Sequence, residues 1–312
     1  MPVRHLGYAC QNLSLTESVS KKNRIFTDRT LRQSGFSLER VGELAVQNCN
    51  DLLPILEWNH KNDIRFFRIG SGIFPFMDHP EIGYTLDDLL PSHREAITAA
   101  LGKAGAFGKA QGLRLSCHPG PYTCLASPDP KIKDKSILSL NMHSLIGDLL
   151  GYGQEFAINI HVGGVYEGKD ATALRFCEAY SGLDQKIKAR LTLENDDKES
   201  MWSMTELYNM IWKCCGVKLV LDIHHHRFCK KESLHDAARM AFETWQGFTE
   251  IPKIHYSESK PNARPQAHSD YIQEPIPDLG DTLYDIMIEA KAKDLALLNY
   301  RKLCKDWRGT HA

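Results

Sequence analysis

Short apolar runs, separated by longer segments with helical periodicity, recur along this chain. Each run is rich in branched or aromatic residues and is too short for a helix, which is typical of strands buried on both faces. We predict eight strands from this pattern. They lie at residues 3–8, 64–70, 112–117, 157–160, 190–193, 218–221, 252–257 and 285–290.

The segments between these runs carry signals of helix boundaries. Ser92 with Glu95 and Ser203 with Glu206 have the S-x-x-E spacing of a capping box, so we predict that helices begin there. Gly216, which follows an amphipathic segment, predicts a helix end. A long proline-rich segment before the eighth run replaces a clear seventh helix.

Strands that alternate with helices indicate a parallel α/β architecture. Eight strands favour closure into a single-domain TIM (β/α)₈ barrel over residues 1–312. An open, doubly wound sheet is the alternative. The chain contains neither G-x-G-x-x-G nor G-x-x-x-x-G-K-[ST], so we expect no nucleotide cofactor.

The composition is that of a soluble globular protein, with 42% apolar and 25% charged residues. The first residues contain no apolar signal-peptide segment, and no run approaches the roughly 20 residues that span a bilayer. Nine cysteines without a C-x-x-C pair argue for reduced thiols rather than a zinc finger. We therefore expect an intracellular, cytoplasmic monomer, nucleoid-associated in a prokaryote, with no membrane partner.

The net charge of −1 does not by itself indicate a nucleic-acid partner, but a local basic rim remains compatible with it. The polar segment 11–37 is a candidate for phosphate contact, with a solvated loop as the alternative. Its basic residues are Lys21, Lys22, Arg24, Arg29 and Arg32. A basic C-terminal tail, which either contacts DNA or is solvated, contains Arg301, Lys302, Lys305 and Arg308.

Ionisable residues directly follow the apolar residues of five of the predicted strands, and the seventh strand carries Lys253 and His255 within it. In a closed barrel these positions share one rim. Burying so many charged groups is unfavourable unless they are paired or bound to metal, so the pattern predicts cations at this rim. The five residues are His118, His161, Glu194, Asp222 and Glu289.

Asp222 and His225 add a D-x-x-H pair suited to Mn²⁺, Zn²⁺ or Fe²⁺. One divalent ion takes about four to six ligands, so the whole set implies two or three ions. Clustered divalent ions suit phosphoryl chemistry because they stabilise the attacking and leaving oxygens together. His224 and His226 do not stand at ligand positions of this pattern, and we expect one to support the ligands and the other to face away from them.

Eight segments of the chain also carry a resemblance to a known family. They are LGYACQN from Leu6, HPGPYT from His118, INIHVGG from Ile158, LTLENDD from Leu191, VLDIHHHR from Val220, KIHYSES from Lys253, AHSDYI from Ala267 and IMIEAKAKD from Ile286. Together and in this order they resemble the UV damage endonucleases, which are related to the endonuclease IV class of abasic-site nucleases. The resemblance covers nearly the whole chain.

The resemblance implies a DNA repair enzyme on a xylose-isomerase-like TIM barrel. Such an enzyme incises damaged double-stranded DNA immediately 5′ of a lesion and leaves a 3′-hydroxyl and a 5′-phosphate. The implied lesions are cyclobutane pyrimidine dimers, 6-4 photoproducts and abasic sites.

The resemblance also implies three divalent ions, with Mn²⁺ favoured and Zn²⁺ or Mg²⁺ as alternatives. The implied ligands are His118, His161 and Glu194 for the first ion, bridging Glu194 with Asp222, His255 and Glu289 for the second, and His225 and His268 for the third. Glu194 and Lys253 are the implied catalytic residues. Lys253 matches a lysine that can be carboxylated, and an ammonium that binds phosphate is the alternative.

Residues implied in lesion recognition follow the first and third strands. Tyr8 and Asn12 match family positions in the groove that receives flipped nucleotides. Pro121 and Tyr122 match a Gln-Tyr pair that wedges into the helix, and Pro121 lacks the side-chain amide, which leaves the lesion preference open. Gly72 stands where the family has a histidine, so the rim of the second strand offers no imidazole.

Three alternatives remain open from the sequence. The nearest is an abasic-site endonuclease of the endonuclease IV type, which the change at Pro121 favours. A sugar isomerase on the same barrel needs only a two-metal site rich in carboxylates. The third is a barrel that binds metal or DNA as a scaffold without turnover.

Overall fold

Eight parallel strands form a closed barrel in this computed structural model, which describes residues 2–15 and 35–303. The strands are β1 Val3–Ala9, β2 Phe66–Ile69, β3 Arg114–Cys117, β4 Ala157–Ile160, β5 Leu191–Glu194, β6 Lys218–Asp222, β7 Lys253–Tyr256 and β8 Tyr284–Ile288. Consecutive strands pair, and β8 closes the ring against β1. The predicted TIM barrel is confirmed, and the open-sheet alternative is wrong.

The short strands form because both of their faces are buried. Leu115, Ile158 and Leu193 in three neighbouring strands are fully buried, and no residue of those strands is exposed. The register places Tyr8 beside Phe67 on one side and Ile288 on the other. Since all the strands run the same way, their carboxyl ends meet at one rim, and the residues that follow them come together there.

Helices follow the strands and, apart from one short turn at the rim that carries His225, cover the outside of the barrel. They are α1 Leu38–Lys61, α2 Pro91–Ala110, α3 Pro130–Leu149, α4 Lys169–Ser181, α5 Gln185–Arg190, α6 with its parts Met204–Glu206, Leu207–Trp212 and Lys213–Cys215, α7 Ile223–His226, α8 Leu234–Glu243 and α9 Lys293–Leu303. The middle part of α6 is π-helical. As predicted, the described segment 257–283 before β8 contains no helix.

Two of the three predicted helix boundaries are confirmed. Ser203 and Glu206 form the reciprocal capping box of α6, and Gly216 ends that helix with a left-handed φ of 73°. The capping box at Ser92 is wrong, because α2 begins at Pro91 with Leu90 as an N-cap that makes no side-chain hydrogen bond. A proline is already shaped for the first helical position, so Ser92 lies inside the first turn.

At the amino ends of the strands a buried carboxylate joins three strands. Asp285 is fully buried and accepts hydrogen bonds from Arg114 at 2.7 Å and from Arg4 at 3.0 Å. Burial would raise the pKa of Asp285, but the two guanidinium groups lower it. The pairs fasten β1 and β3 to β8 at the end opposite the predicted metal ligands.

The basic segments predicted to contact DNA are only partly described. Lys21, Lys22, Arg24, Arg29 and Arg32 lie outside the described residues, as do Lys305 and Arg308 of the tail. Arg301 donates hydrogen bonds to the carbonyl oxygens of Asn62 at 2.9 Å and Asp63 at 2.7 Å, so it fastens α9 to the end of α1. Across residues 2–15 and 35–303, no helix has both the length and the apolar character needed to cross a bilayer.

Candidate metal centre

Seven of the eight predicted ligands lie together at the carboxyl ends of the strands. Within the described residues they form three overlapping groups, in each of which the candidate ligand atoms lie within 4.8 Å of one another. The groups are His118, His161 and Glu194; Glu194, Asp222 and His225; and Asp222, His255 and Glu289. The eighth predicted ligand, His268, lies beside them with its Nδ1 3.8 Å from Glu289 Oε2.

Glu194 occupies the centre of this cluster and is 1% exposed. Its Oε1 lies 3.1 Å from His255 Nδ1, and its Oε2 lies 3.1 Å from His118 Nε2. Burial would raise the pKa of Glu194, but the neighbouring imidazoles of His255 and His161 hold that pKa well below its ordinary value. The carboxylate is therefore ionised and shared among several donors, as a bridging ligand must be.

Backbone carbonyls orient three of the histidines. The distance from Nδ1 to a carbonyl oxygen is 3.0 Å for His118, 2.9 Å for His225 and 3.2 Å for His268. A carbonyl oxygen only accepts, so Nδ1 carries the hydrogen, and in the neutral imidazole Nε2 keeps its lone pair. Histidines that ligate metals are held in this way.

The centre contains buried polar atoms without a hydrogen-bond partner among the described residues. Among them are Asp222 Oδ2 and Nε2 of His255, which is fully buried. Buried donors and acceptors left unsatisfied are unfavourable by about 1–3 kcal/mol each. Divalent cations would satisfy these atoms, and imidazole and carboxylate groups are suitable ligands for such ions. The residues present therefore fit a metal centre.

The carboxylates also control the protonation of two imidazoles. Burial lowers the pKa of His161 and His225, but nearby carboxylates outweigh it. Glu194 and Asp196 raise the pKa of His161 to about 9, and Asp222 and Glu194 raise that of His225 to about 10. Protons thus balance the acidic charge of the cluster, and bound cations would replace them.

A lysine and an arginine lie inside the barrel next to the ligands. Arg68 on β2 donates a hydrogen bond from Nη1 to Glu289 Oε1, and both side chains are largely buried. Lys253 on β7 is fully buried, and its Nζ has no hydrogen-bond partner in the described part of the chain. Burial and the nearby guanidinium groups of Arg114 and Arg68 lower the pKa of Lys253 to about 7.

Among the described residues, three whose side chains contact the side chain of a candidate ligand were not predicted from the sequence. They are Arg68; Asn159 on β4, which donates a hydrogen bond to Glu194 Oε2; and Asp196, whose Oδ1 lies 3.2 Å from His161 Nδ1. Their signals were polar residues inside the apolar runs of β2 and β4, and a second acid in the ENDD segment after β5. A polar side chain that points into a barrel must find a partner there.

Tyr8 and Asn12, expected to line a groove for flipped nucleotides, are both fully buried. Tyr8 Oη donates a hydrogen bond to Asn59 Oδ1 at 2.6 Å, and Asn12 Nδ2 donates one to Tyr8 Oη at 2.8 Å. Asn12 Oδ1 accepts from the backbone N–H of Ser14 at 3.0 Å. Neither side chain offers an atom to DNA in this structure. Instead, they attach the segment after β1 to α1.

Pro121 and Tyr122, by contrast, lie on the surface. Tyr122 is 79% exposed, although a large aromatic side chain usually buries its ring. Both residues follow β3, so they lie on the same end of the barrel as the ligand cluster. Their position is compatible with contact to a large substrate above that cluster.

His224 and His226 are both buried, and their rings have different partners. His224 Nε2 lies 3.3 Å from the carbonyl oxygen of Gln266, and its ring lies 5.3 Å from that of His268. His226 Nε2 lies 3.4 Å from Glu232 Oε1. The first supports the loop that carries His268, and the second forms an ion pair when it is protonated.

Comparison with known proteins identifies the family. The family described as UV-endonuclease UvdE matches residues 4–311. The chain belongs to this family. The resemblance noted in the sequence is therefore confirmed, and it extends over the strands that carry the ligand cluster.

Individual members of the UvdE family are similar along the whole chain. A UV-damage endonuclease of Schizosaccharomyces pombe is 37% identical over 96% of this chain and 50% of its own length, so this chain spans about half of that relative. A UV DNA damage endonuclease of Bacillus thuringiensis subsp. konkukian is 31% identical over 98% of this chain and 96% of its own. The crystal structure of SacUVDE matches with a TM-score of 0.83 at 31% identity, covering 97% of this chain and 98% of that one.

Proposed function

We propose that this chain is a metal-dependent endonuclease of damaged double-stranded DNA. It incises the backbone immediately 5′ of cyclobutane pyrimidine dimers, 6-4 photoproducts and abasic sites, and leaves a 3′-hydroxyl and a 5′-phosphate. The observation that carries this proposal is the buried cluster of imidazoles and carboxylates, with unsatisfied atoms of Asp222 and His255, on the barrel end that exposes Tyr122. The names of the UvdE relatives support the substrate.

The proposed centre holds three divalent ions, with Mn²⁺ first and Zn²⁺ or Mg²⁺ as alternatives. The proposed ligands are His118, His161 and Glu194; Glu194, Asp222, His255 and Glu289; and His225 with His268. When bound, such ions stabilise charge on the attacking and leaving oxygens of a phosphoryl transfer.

The chain's own residues hold these ligands in place before DNA arrives. Asn159 fixes one oxygen of Glu194, and Arg68 fixes one oxygen of Glu289. Backbone carbonyls fix the rings of His118 and His225, so their Nε2 atoms point into the cluster. Ligands that are already oriented lose little freedom when a transition state forms, which is the main contribution of a protein to such a site.

Lys253 is the proposed site of carboxylation. Its buried amine has no hydrogen-bond partner among the described residues and lies near Arg68 and Arg114, which favour an anion at this place. The amine would add to carbon dioxide and lose one proton, which gives a carbamate beside the third ion. Mass spectrometry of the intact protein in labelled bicarbonate tests this step, and an unlabelled, unmodified Lys253 under native conditions would reject it.

Lesion recognition is proposed to use the exposed loop after β3. The ring of Tyr122 is free to stack in the space that flipped nucleotides leave, and a damaged base step is the easiest to unstack. Tyr8 and Asn12 act indirectly, because they hold the segment after β1 against α1.

Nicking of irradiated plasmid in the presence of Mn²⁺ tests the proposal. Glu194→Gln and Asp222→Asn keep the size of each side chain but remove its charge, and we expect each to lower the rate at least about a hundredfold. Glu95→Gln on α2 changes an exposed carboxylate outside the cluster and serves as the matched control. Wild-type rates in both cluster variants would reject the metal mechanism.

A second candidate is an abasic-site endonuclease with little activity on photoproducts. It is favoured by Pro121, which has no side-chain amide to probe a base pair and is exposed beside Tyr122. Two duplexes that differ only in carrying a thymine dimer or an abasic analogue separate the candidates. Nicking of the abasic duplex alone selects the second one.

A further inference from the structure

One buried imidazole near the cluster is used neither as a ligand nor in an ion pair. His143 on α3 is fully buried, with its Nδ1 2.7 Å from the carbonyl oxygen of Ser139 and its Nε2 3.0 Å from Ser71 Oγ. Ser71 stands just after β2, the strand whose rim was expected to lack an imidazole because Gly72 occupies the family position. A helix outside the barrel therefore brings an imidazole to that rim.

The hydrogen atoms in the contacts from Ser139 through His143 to Ser71 can be assigned. The carbonyl oxygen of Ser139 only accepts, so His143 Nδ1 carries a hydrogen. Burial lowers the pKa of His143, which favours the neutral ring with a lone pair on Nε2. The hydroxyl of Ser71 is then the donor to Nε2. The same hydroxyl lies 3.1 Å from the carbonyl oxygen of His118, so its single hydrogen is shared between two acceptors.

A second helix holds the same turn from the other side. Asn48 on α1 donates from Nδ2 to the carbonyl oxygens of Gly72 at 3.2 Å and Ile73 at 3.3 Å. The turn after β2 is therefore fixed by α1 through Asn48 and by α3 through His143. Ser71 is the residue of this turn that contacts the next strand end.

Ser71 contacts the carbonyl of His118, where the ligand side chain and the loop with Pro121 and Tyr122 leave in different directions. The side chain of His118 turns towards Glu194 Oε2 at 3.1 Å, while the backbone continues through Pro119 into the exposed residues Pro121 and Tyr122. A displacement of the His118 carbonyl would move both the imidazole and the start of that loop.

We propose that Ser71 and His143 are positioning residues for His118, with the hydroxyl of Ser71 held in place by the imidazole and in turn fixing the His118 carbonyl. This inference rests on the proposed metal centre and extends it, since neither residue is among the proposed ligands. Partners that orient a ligand typically change metal affinity or activity 10- to 100-fold when removed.

Titration calorimetry of the purified chain with Mn²⁺ tests the proposal. His143→Gln keeps a polar atom at the position of Nε2, and His143→Asn keeps one at the position of Nδ1. We expect His143→Gln to bind Mn²⁺ within about threefold of the wild type, and His143→Asn and Ser71→Ala to bind at least about tenfold more weakly. Ser71→Thr retains the hydroxyl and should restore the affinity lost in Ser71→Ala.

The matched control is Ser139→Ala, which keeps the backbone carbonyl that accepts from His143 and should bind Mn²⁺ like the wild type. Equal affinities of the two His143 variants, or wild-type affinity of Ser71→Ala, would overturn the positioning role. If circular dichroism shows that His143→Asn does not fold, the comparison of Ser71→Ala with Ser71→Thr decides whether the positioning role holds. If the wild type binds Mn²⁺ but nicks no DNA, the proposed function is rejected. The positioning role is still tested in that case, because it depends only on the Mn²⁺ affinities of the variants.

Discussion

Arg68 and Glu289 show how single residues make a charged barrel interior stable. Both side chains are largely buried, and Arg68 donates directly to the carboxylate. Burial would raise the pKa of Glu289, but the guanidinium group holds it well below its ordinary value. Positive charge that the protein itself supplies thus keeps a ligand ionised, whether or not a metal is bound.

The loss of stability caused by replacing Arg68 is therefore expected to depend on whether metal is bound. Arg68→Met leaves a buried carboxylate unpaired, which should lower the free energy of unfolding by about 3–5 kcal/mol in the presence of a chelator. Saturating Mn²⁺ should reduce this loss, because the ion replaces the missing positive charge beside Glu289. Urea denaturation with and without Mn²⁺ measures both values.

Arg4→Met is the control for that comparison. It disrupts a pair with the fully buried Asp285 at the other end of the strands. Its loss of stability should be the same with chelator and with Mn²⁺. If Mn²⁺ does not change the stability lost in Arg68→Met, this arginine does not act on the metal centre.

At the scale of elements, Glu206 joins three loops on the ligand side of the barrel. It forms the capping box of α6 with Ser203, accepts from Lys169 of α4 at 2.7 Å, and pairs with Lys231 after β6. Burial opposes ionisation of Glu206, but the hydrogen bonds from the two lysines and Ser203 lower its pKa to about 2. One carboxylate thus connects three consecutive βα units.

The contribution of Glu206 to stability should depend on pH. Its pKa is lower in the folded state than the ordinary 4.5, so its ionised form stabilises the fold above about pH 4.5. This contribution is lost as the pH falls through 4.5 towards about 2. We expect Glu206→Gln to be less stable than the wild type by about 1–3 kcal/mol at pH 7 and by less at pH 3.5, measured by urea denaturation. A difference that grows in acid would contradict this.

The sequence predicted most elements because each strand carries its own local signal. Runs such as Ala157–Ile160 are apolar throughout, and the structure begins and ends β4 at those residues. Contacts between distant segments carried no such signal. His143 reads as one position of an amphipathic helix, and only the closed barrel brings it to Ser71. The burial of Tyr8 and Asn12 likewise follows from contacts with distant α1, which the sequence does not reveal.

At the scale of the whole molecule, a net charge of −1 does not prevent basic residues from being exposed around the acidic ligand cluster. Lys230 follows β6 and Arg264 follows β7, and both are exposed on the barrel end that contains the ligand cluster. Such an arrangement suits a polyanion that approaches this end.

These two residues should contribute to the salt dependence of DNA binding. Each phosphate contact changes the slope of log K against log salt by about 0.9, so Lys230→Glu with Arg264→Glu should make the slope shallower by about 2. Fluorescence anisotropy with undamaged duplex at several NaCl concentrations measures it. Lys103→Glu, an exposed lysine on α2, is the control and should leave the slope unchanged. An unchanged slope in the double variant would place the duplex elsewhere.

Six of the eight strands each supply part of the ligand cluster, from His118 after β3 to Glu289 after β8. The cluster is therefore incomplete until β8 joins the ring. We expect a chain that stops before Glu289 to lack the proposed metal centre, so that this centre forms only with the finished fold.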